Sequence, residues 1–197
     1  MAHPLQCRCG TLAGEVSEPE RGGRGVCYCK DCQAFAHFLG NADTVLDEMG
    51  GTDVVATLPK YVRFTRGADR LACMSLTERG LLRWYASCCR TPIGNTASHY
   101  RFPYVGLVHS CLGSPEAIEQ SFGPVRMRVH TKSARRGRPG TMALSQAAVL
   151  ARFIPTVVLS RMDGSYKMTP FFTADGTPVA QRKVLTTSEL EAVRNAF

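Results

Sequence analysis

Through about residue 112 the chain sets short apolar, β-prone runs between glycine- and proline-bearing breaks. Residues 12–16, 54–58, 61–65, 71–76, 81–85 and 104–108 carry the β-branched, aromatic and aliphatic side chains of strands. Gly50-Gly51, Arg66-Gly67-Ala68-Asp69 and Glu78-Arg79-Gly80 stand between such runs at hairpin spacing, where glycine takes a positive φ without strain. The pattern predicts mostly antiparallel β structure, as a meander or a pair of packed sheets.

Beyond residue 112 the period changes. Ser114-Pro115-Glu116 supplies an N-cap, a proline at the first helical position and an early acid, which predicts a helix over 115–121 ended by Gly123-Pro124. Leu144, Ala147, Ala148, Ala151 and Ile154 repeat like one helical face, with Pro155 closing or kinking the helix. Residues 168–172 and 178–184 flank the turn Ala174-Asp175-Gly176-Thr177 and predict a late hairpin. Thr186-Thr187-Ser188-Glu189 is a capping-box pattern that opens a terminal helix through Asn195. The fold class expected is therefore mainly β with a few short helices (α+β). A zinc-binding β domain is expected over 1–130. A C-terminal extension over 131–197, with helix, hairpin and terminal helix, is expected to pack on the same domain, with a soft joint near 132–140.

Composition narrows the function classes. The chain has 197 residues, 44% hydrophobic and 20% charged, enough to bury a core and without a low-complexity tract. The start, Met1-Ala2-His3-Pro4-Leu5-Gln6, lacks the cationic and apolar regions of a signal peptide. The apolar stretch around 147–159 is interrupted by Arg152 and Pro155. A cytoplasmic protein without a membrane span is the expectation. The formal charge of +8 falls once cysteines ionise to bind metal, and the basic residues are scattered except for Lys132, Arg135, Arg136 and Arg138. That cluster is a solvated loop or an anion-binding loop, and no stacking aromatic accompanies it, so nucleic acid is not an expected partner.

Nine cysteines, an odd number clustered in a reducing compartment, point to metal ligation or thiol chemistry rather than disulfides. Zinc takes about four soft ligands in a tetrahedron, and thiolates supply softness and charge together. Cys27, Cys29 and Cys32 combine Cys-x-Cys and Cys-x-x-Cys spacing, so three sulfurs converge at little loop-closure cost and leave a coordination position open. An open position marks catalytic zinc, unless a distant side chain closes it. A redox role for Cys-x-x-Cys would call for a thioredoxin-like βαβ pattern, which does not surround it. Cys7 and Cys9 need partners from far along the chain, and Cys89 is the firmer candidate. Cys88 would need a bent backbone, because adjacent residues of a strand point to opposite faces. Cys73 and Cys111 read as buried free thiols, with either a reserve ligand.

Taken together, Cys7-x-Cys9-Gly10, Cys27-x-Cys29-x-x-Cys32-Gln33 and Cys89-x-Thr91-Pro92 resemble the family of glutathione-dependent formaldehyde-activating enzymes and centromere protein V, over about residues 5–112. The resemblance implies a fold of small antiparallel sheets of the GFA-like (β-tent, Mss4-like) type stapled by zinc. It implies two Zn²⁺ ions, a structural one held by Cys7, Cys9 and Cys89, and a catalytic one held by Cys27, Cys29 and Cys32. It also implies a carbon–sulfur lyase that forms or cleaves S-hydroxymethylglutathione, with glutathione as co-substrate, by thiol activation. The family usually shows Cys-x-x-Cys-Gly before Thr-Pro, whereas Tyr85-Ala86-Ser87-Cys88-Cys89-Arg90 has alanine and arginine at the first cysteine and the glycine. Cys88 is the candidate replacement ligand.

On this reading Lys30, Arg101 or the 135–138 loop would anchor glutathione's carboxylates, and His99 and His109 would be proton-transfer candidates. Tyr100 and Tyr104 read as core or rim aromatics. The alternative is a non-catalytic, zinc-stabilised binding protein related to centromere protein V. The sequence leaves a homo-oligomer open.

Overall fold

The computed structural model describes residues 1–196. In chain order its elements begin β1 (His3–Gln6), β2 (Ala13–Val16), β3 (Gly23–Cys27), α1 (Lys30–Phe38), α2 (Ala42–Val45) and β4 (Thr52–Thr57). There follow β5 (Val62–Arg66), β6 (Leu71–Ser75), β7 (Leu82–Ala86), β8 (Pro92–Thr96), β9 (Val105–Val108) and α3 (Pro115–Phe122). The chain closes with β10 (Met127–Val129), α4 (Ala143–Met162), β11 (Arg182–Val184) and α5 (Thr187–Arg194). The molecule is mainly β with few helices, as the patterning predicts.

Among the described residues the strands form two sheets. A three-stranded antiparallel sheet has the order β1-β2-β5, and an eight-stranded sheet the order β10-β3-β4-β9-β8-β7-β6-β11. The larger sheet is mixed: its six inner strands pair antiparallel, while β10 on β3 and β11 on β6 pair parallel at the two edges. Both edge strands come from beyond residue 126, so the last third of the chain completes the sheet that the first two thirds begin.

Strand alternation builds two cores. Leu82, Trp84 and Ala86 of β7 and Val105 and Leu107 of β9 face the small sheet, where Leu5, Val16 and Val62 meet them. Trp84 is fully buried and its indole N–H donates to the Thr96 hydroxyl at 2.9 Å. Phe171 and Phe172, from the segment between α4 and β11, close this core, with Phe171 5.2 Å from the Trp84 ring. On the opposite face Ala34, Phe35 and Leu39, from α1 and its end, pack with Met74 of β6 and Leu185, and Leu190 and Val193 of α5 lie against them.

Two expectations change. The late hairpin reduces to a single bridge, Phe172 to Pro178, around a turn held by Asp175, after which β11 joins β6 instead. Helix α4 runs through Pro155 to Met162, twenty residues long. Proline removes one hydrogen bond there, and the residue whose carbonyl loses its partner, Ala151, is exposed. The helix thus reaches the length and apolarity of a membrane span, with mean hydropathy 1.5.

Candidate metal centres

The first cysteine group is made by two turns, one after β1 and one between β7 and β8. After β1 the chain folds back so that the Gly10 N–H donates to the Cys7 carbonyl at 2.9 Å, with Gly10 at φ +76°, and the Leu12 N–H points at Cys7 Sγ at 3.3 Å. Cys7 and Cys9 therefore converge through a turn rather than along an extended strand. Between β7 and β8 the Arg90 N–H donates to the Ala86 carbonyl at 2.8 Å and the Ala86 N–H to the Thr91 carbonyl at 2.9 Å. Arg90 sits at φ +58°. This tight loop bends the backbone enough for adjacent Cys88 and Cys89 to share one centre, so Cys88 stands as the fourth sulfur beside Cys7, Cys9 and Cys89, the place for which it was the candidate.

All four sulfurs of Cys7, Cys9, Cys88 and Cys89 lie within 4.8 Å of one another. The separations are 3.6 Å for Cys7–Cys9, 3.8 Å for Cys7–Cys88, 3.3 Å for Cys9–Cys88 and 3.9 Å for Cys88–Cys89. A tetrahedral thiolate site with metal–sulfur bonds near 2.3 Å has edges of about 3.8 Å, so the set fits such an ion. Thr91 ties the turns together, accepting from the Arg8 N–H at 3.0 Å and standing 3.1 Å from Cys89 Sγ. The Thr11 hydroxyl and backbone N–H draw Cys9 down to about 6, while burial and the neighbouring thiols push Cys88 up to about 12. Four thiolates cannot share this space unless a cation neutralises them.

The second group sits on the other face of the large sheet, where β3 passes into α1. Cys27 ends the strand, Cys29 is the helix N-cap and Cys32 lies in the first turn, with the three sulfurs within 4.8 Å of one another. Cys29 caps as serine does elsewhere, its sulfur accepting the Cys32 N–H at 3.3 Å. No fourth cysteine, histidine or carboxylate joins the three among the described residues. Cys27 and Cys29 together, and then the Arg83 guanidinium, hold the Cys32 thiol far below its ordinary range, while Cys29 and Cys32 push Cys27 up.

Arg83 is the group that sequence reasoning missed. In β7 it points away from Trp84, is buried, and sends one guanidinium nitrogen to Cys32 Sγ at 3.9 Å and to Asn95 Oδ1 at 3.1 Å. Its guanidinium lies 5.5 Å from the centroid of the Phe35 ring. Tyr104, expected only as a core or rim aromatic, is a second such group. Burial raises its hydroxyl well above the usual range, and the charge of the neighbouring cysteine group raises it further. The available signal was strand alternation, which sets Arg83 and Tyr85 opposite the core face of Leu82 and Trp84.

The other candidates divide. Gln33, beside Cys32, is fully buried, donates to the Tyr28 and Ser133 carbonyls at 2.9 and 3.0 Å and accepts from Arg135 Nε at 2.7 Å. Arg135 also donates to His37 Nε2 at 2.6 Å, so the basic loop lies across α1, the helix that carries Cys32. Lys30, at the start of α1, and Arg101 are exposed. His99 is exposed, and His109 is held by the Asp53 carbonyl at 3.3 Å, so neither stands with the sulfurs. Cys73 and Cys111 are buried apart from both groups, and burial lifts each thiol to about 12.

Residues 1–183 match the model of a family described as Family of unknown function (DUF6151). No curated protein matches the chain. Among solved structures it is similar to the crystal structure of a Rhodobacter sphaeroides protein, at 19% identity and a TM-score of 0.39 over 62% of this chain and 96% of that one.

Proposed function

Because the chain belongs to this family of unknown function, its activity has to be argued from its own side chains, and we propose that it is a zinc-dependent carbon–sulfur lyase-like enzyme acting on a thiol and an aldehyde. The observation that carries the reading is the inequality of the two cysteine groups. Four sulfurs at tetrahedral spacing suit a closed structural site that staples β1 to the β7–β8 loop, whereas three sulfurs at a helix start, beside a buried arginine and a desolvated tyrosine, suit a reactive one.

Cys7, Cys9, Cys88 and Cys89 would hold the structural zinc, and Cys27, Cys29 and Cys32 the reactive one. Zinc at the three-cysteine group supplies acidification and presentation of a substrate thiol. The residues around it do the rest. Arg83 offsets thiolate charge and fixes Cys32 through its bond toward that sulfur. Tyr104 keeps its proton at neutral pH and donates toward the oxygen that becomes negative as a sulfur adds to a carbonyl carbon. In formation the proton given up by the substrate thiol ends on that oxygen as a hydroxyl, and in cleavage it returns to the sulfur as the carbon–sulfur bond breaks and thiol and aldehyde are released. Seven thiolate ligands require a reducing compartment, in keeping with a cytoplasmic protein.

The resemblance drawn from cysteine order and spacing to glutathione-dependent formaldehyde-activating enzymes makes glutathione with formaldehyde the first substrate pair. Zinc content by elemental analysis and S-hydroxymethylglutathione turnover by NMR test the reading together. We expect two zinc ions in the wild type, and one ion with no turnover in Cys29→Ser. A zinc-loaded wild type that neither forms nor cleaves an adduct across a panel of thiols and aldehydes would rule the enzyme out and leave a zinc-stabilised binding protein.

A further inference from the structure

Helix α4 has two apolar faces, and the fold uses one. Its inner side, with Val149, Phe153, Thr156 and Ser160, lies against the body. Phe153 meets the Tyr104 ring edge-on at 6.1 Å, and the Ser160 and Ser165 hydroxyls bond at 3.0 Å. The outer side turns to solvent the very face that periodicity marks as apolar. Leu144 is 90% exposed, Ile154 56%, Val158 51%, Leu159 59% and Met162 78%. Ala147, Ala148 and Ala151 lie exposed among them.

At about 100° per residue these positions, with Pro155, fall in one strip that contains no polar side chain, while Arg152 and Arg161 stand on its two flanks. Weighted by exposure, the five large residues present on the order of 700 Å². That approaches the roughly 800 Å² per partner of a standard interface and exceeds the few hundred Å² of apolar patch that a lone domain usually shows.

We propose that this strip is the interface of a twofold homodimer in which α4 pairs antiparallel with α4 of a second copy. The argument is area joined to shape. The first half of the strip is mostly alanine, the second half is bulky. Antiparallel pairing sets Ala147 and Ala151 of one copy against Val158 and Ile154 of the other at both ends of the contact, so ridge meets hollow twice. Parallel pairing would set bulk against bulk and leave a gap along the alanines. A charge-free centre with arginines at the rim is also the composition of a protein interface. A bilayer would gain nothing from the division into small and bulky halves, and the inner face of α4 is already held by Phe153 and Ser160.

The test is sedimentation of the zinc-loaded, full-length chain from micromolar to submillimolar concentration, with flotation on phosphatidylcholine and phosphatidylserine vesicles alongside. The wild type should sediment as a dimer and stay off the vesicles. Ala147→Glu or Val158→Lys alone should weaken the dimer about a hundredfold or more by burying an unpaired charge. The double variant should recover it, since each Glu then meets a Lys of the other copy; Leu144→Glu with Met162→Lys gives a second such pair. Unchanged far-ultraviolet circular dichroism and zinc content separate these effects from misfolding. A wild type that is monomeric throughout, a dimer indifferent to both charge pairs, or a monomer that floats with the vesicles overturns the proposal.

Discussion

Arg90 reaches from the four-cysteine loop to the end of the helix that starts at the three-cysteine group: its Nε donates to the Leu39 carbonyl at 3.0 Å. The same guanidinium donates to the Phe38 carbonyl and lies 5.2 Å from the Phe38 ring centroid, while the Asn41 amide holds the Arg90 carbonyl at 2.8 Å. A left-handed arginine costs about 1–2 kcal/mol where glycine would be free, and capping the last carbonyls of α1 offsets it. Arg90→Ala keeps the strain and loses the cap, so it should destabilise the zinc-loaded chain by about 1–2 kcal/mol in urea unfolding. Arg90→Gly relieves the strain and should recover roughly half of that loss.

The turn at 86–91 makes Cys88 and Cys89 equal members of one centre. Cys88→Ser and Cys89→Ser should each remove close to one zinc ion per chain, measured by elemental analysis after dialysis. Cys73→Ser and Cys111→Ser should leave the zinc content unchanged, since both thiols are buried away from either group.

Cysteine spacing and strand alternation were legible because both are local. They located both groups, most of the central strands and the capped helices α3 and α5. What escaped notice depends on contacts between distant segments. Helix α1 has no counterpart in the sequence pattern, because Cys29 is an unusual N-cap and the face from Gln33 to Ala36 is buried only by packing. β3 and β8 carry glycines that look like breaks. Yet a Cβ on Gly25 would meet Met127 at 3.0 Å and one on Gly94 would meet the Gly106 carbonyl at 2.9 Å, so these glycines permit close strands. The burial of Arg83 is not legible in the sequence, because a strand pattern shows which side chains share a face but not what covers it.

Arg83 touches the three-cysteine group at Cys32 and is held by Asn95. Arg83→Met keeps the length of the side chain and its packing near Phe35 but removes the donors. We expect zinc to remain bound while kcat for adduct formation falls by about 10- to 100-fold. Arg83→Lys should recover part of the rate, since an ammonium keeps the charge but loses the planar guanidinium that lies against the Phe35 ring. Equal rates for Met and wild type would limit Arg83 to packing.

Burial raises the thiols of Cys73 and Cys111 from 9.0 to about 12, so the fold favours their neutral forms. Above pH 9 the unfolded chain releases these protons first. The stability they contribute is therefore intact below about pH 9 and is lost as pH rises toward 12. Cys73→Ala combined with Cys111→Ala should flatten the alkaline decline in urea midpoints, although the variant starts from a lower plateau because of lost packing.

Gly106 tests the place of Tyr104 more directly than removal of the phenol. A Cβ at Gly106 would stand 2.6 Å from the Tyr104 hydroxyl, so Gly106→Ala must displace that oxygen even though its backbone conformation suits any residue. The expected cost is about 1–3 kcal/mol of stability, with a fall in turnover similar to that of Tyr104→Phe, read from unfolding midpoints and the NMR assay. In the double variant the missing oxygen frees the space that the new methyl needs, so the two losses should not add. Additive losses would mean that the Tyr104 hydroxyl is not what Gly106 makes room for.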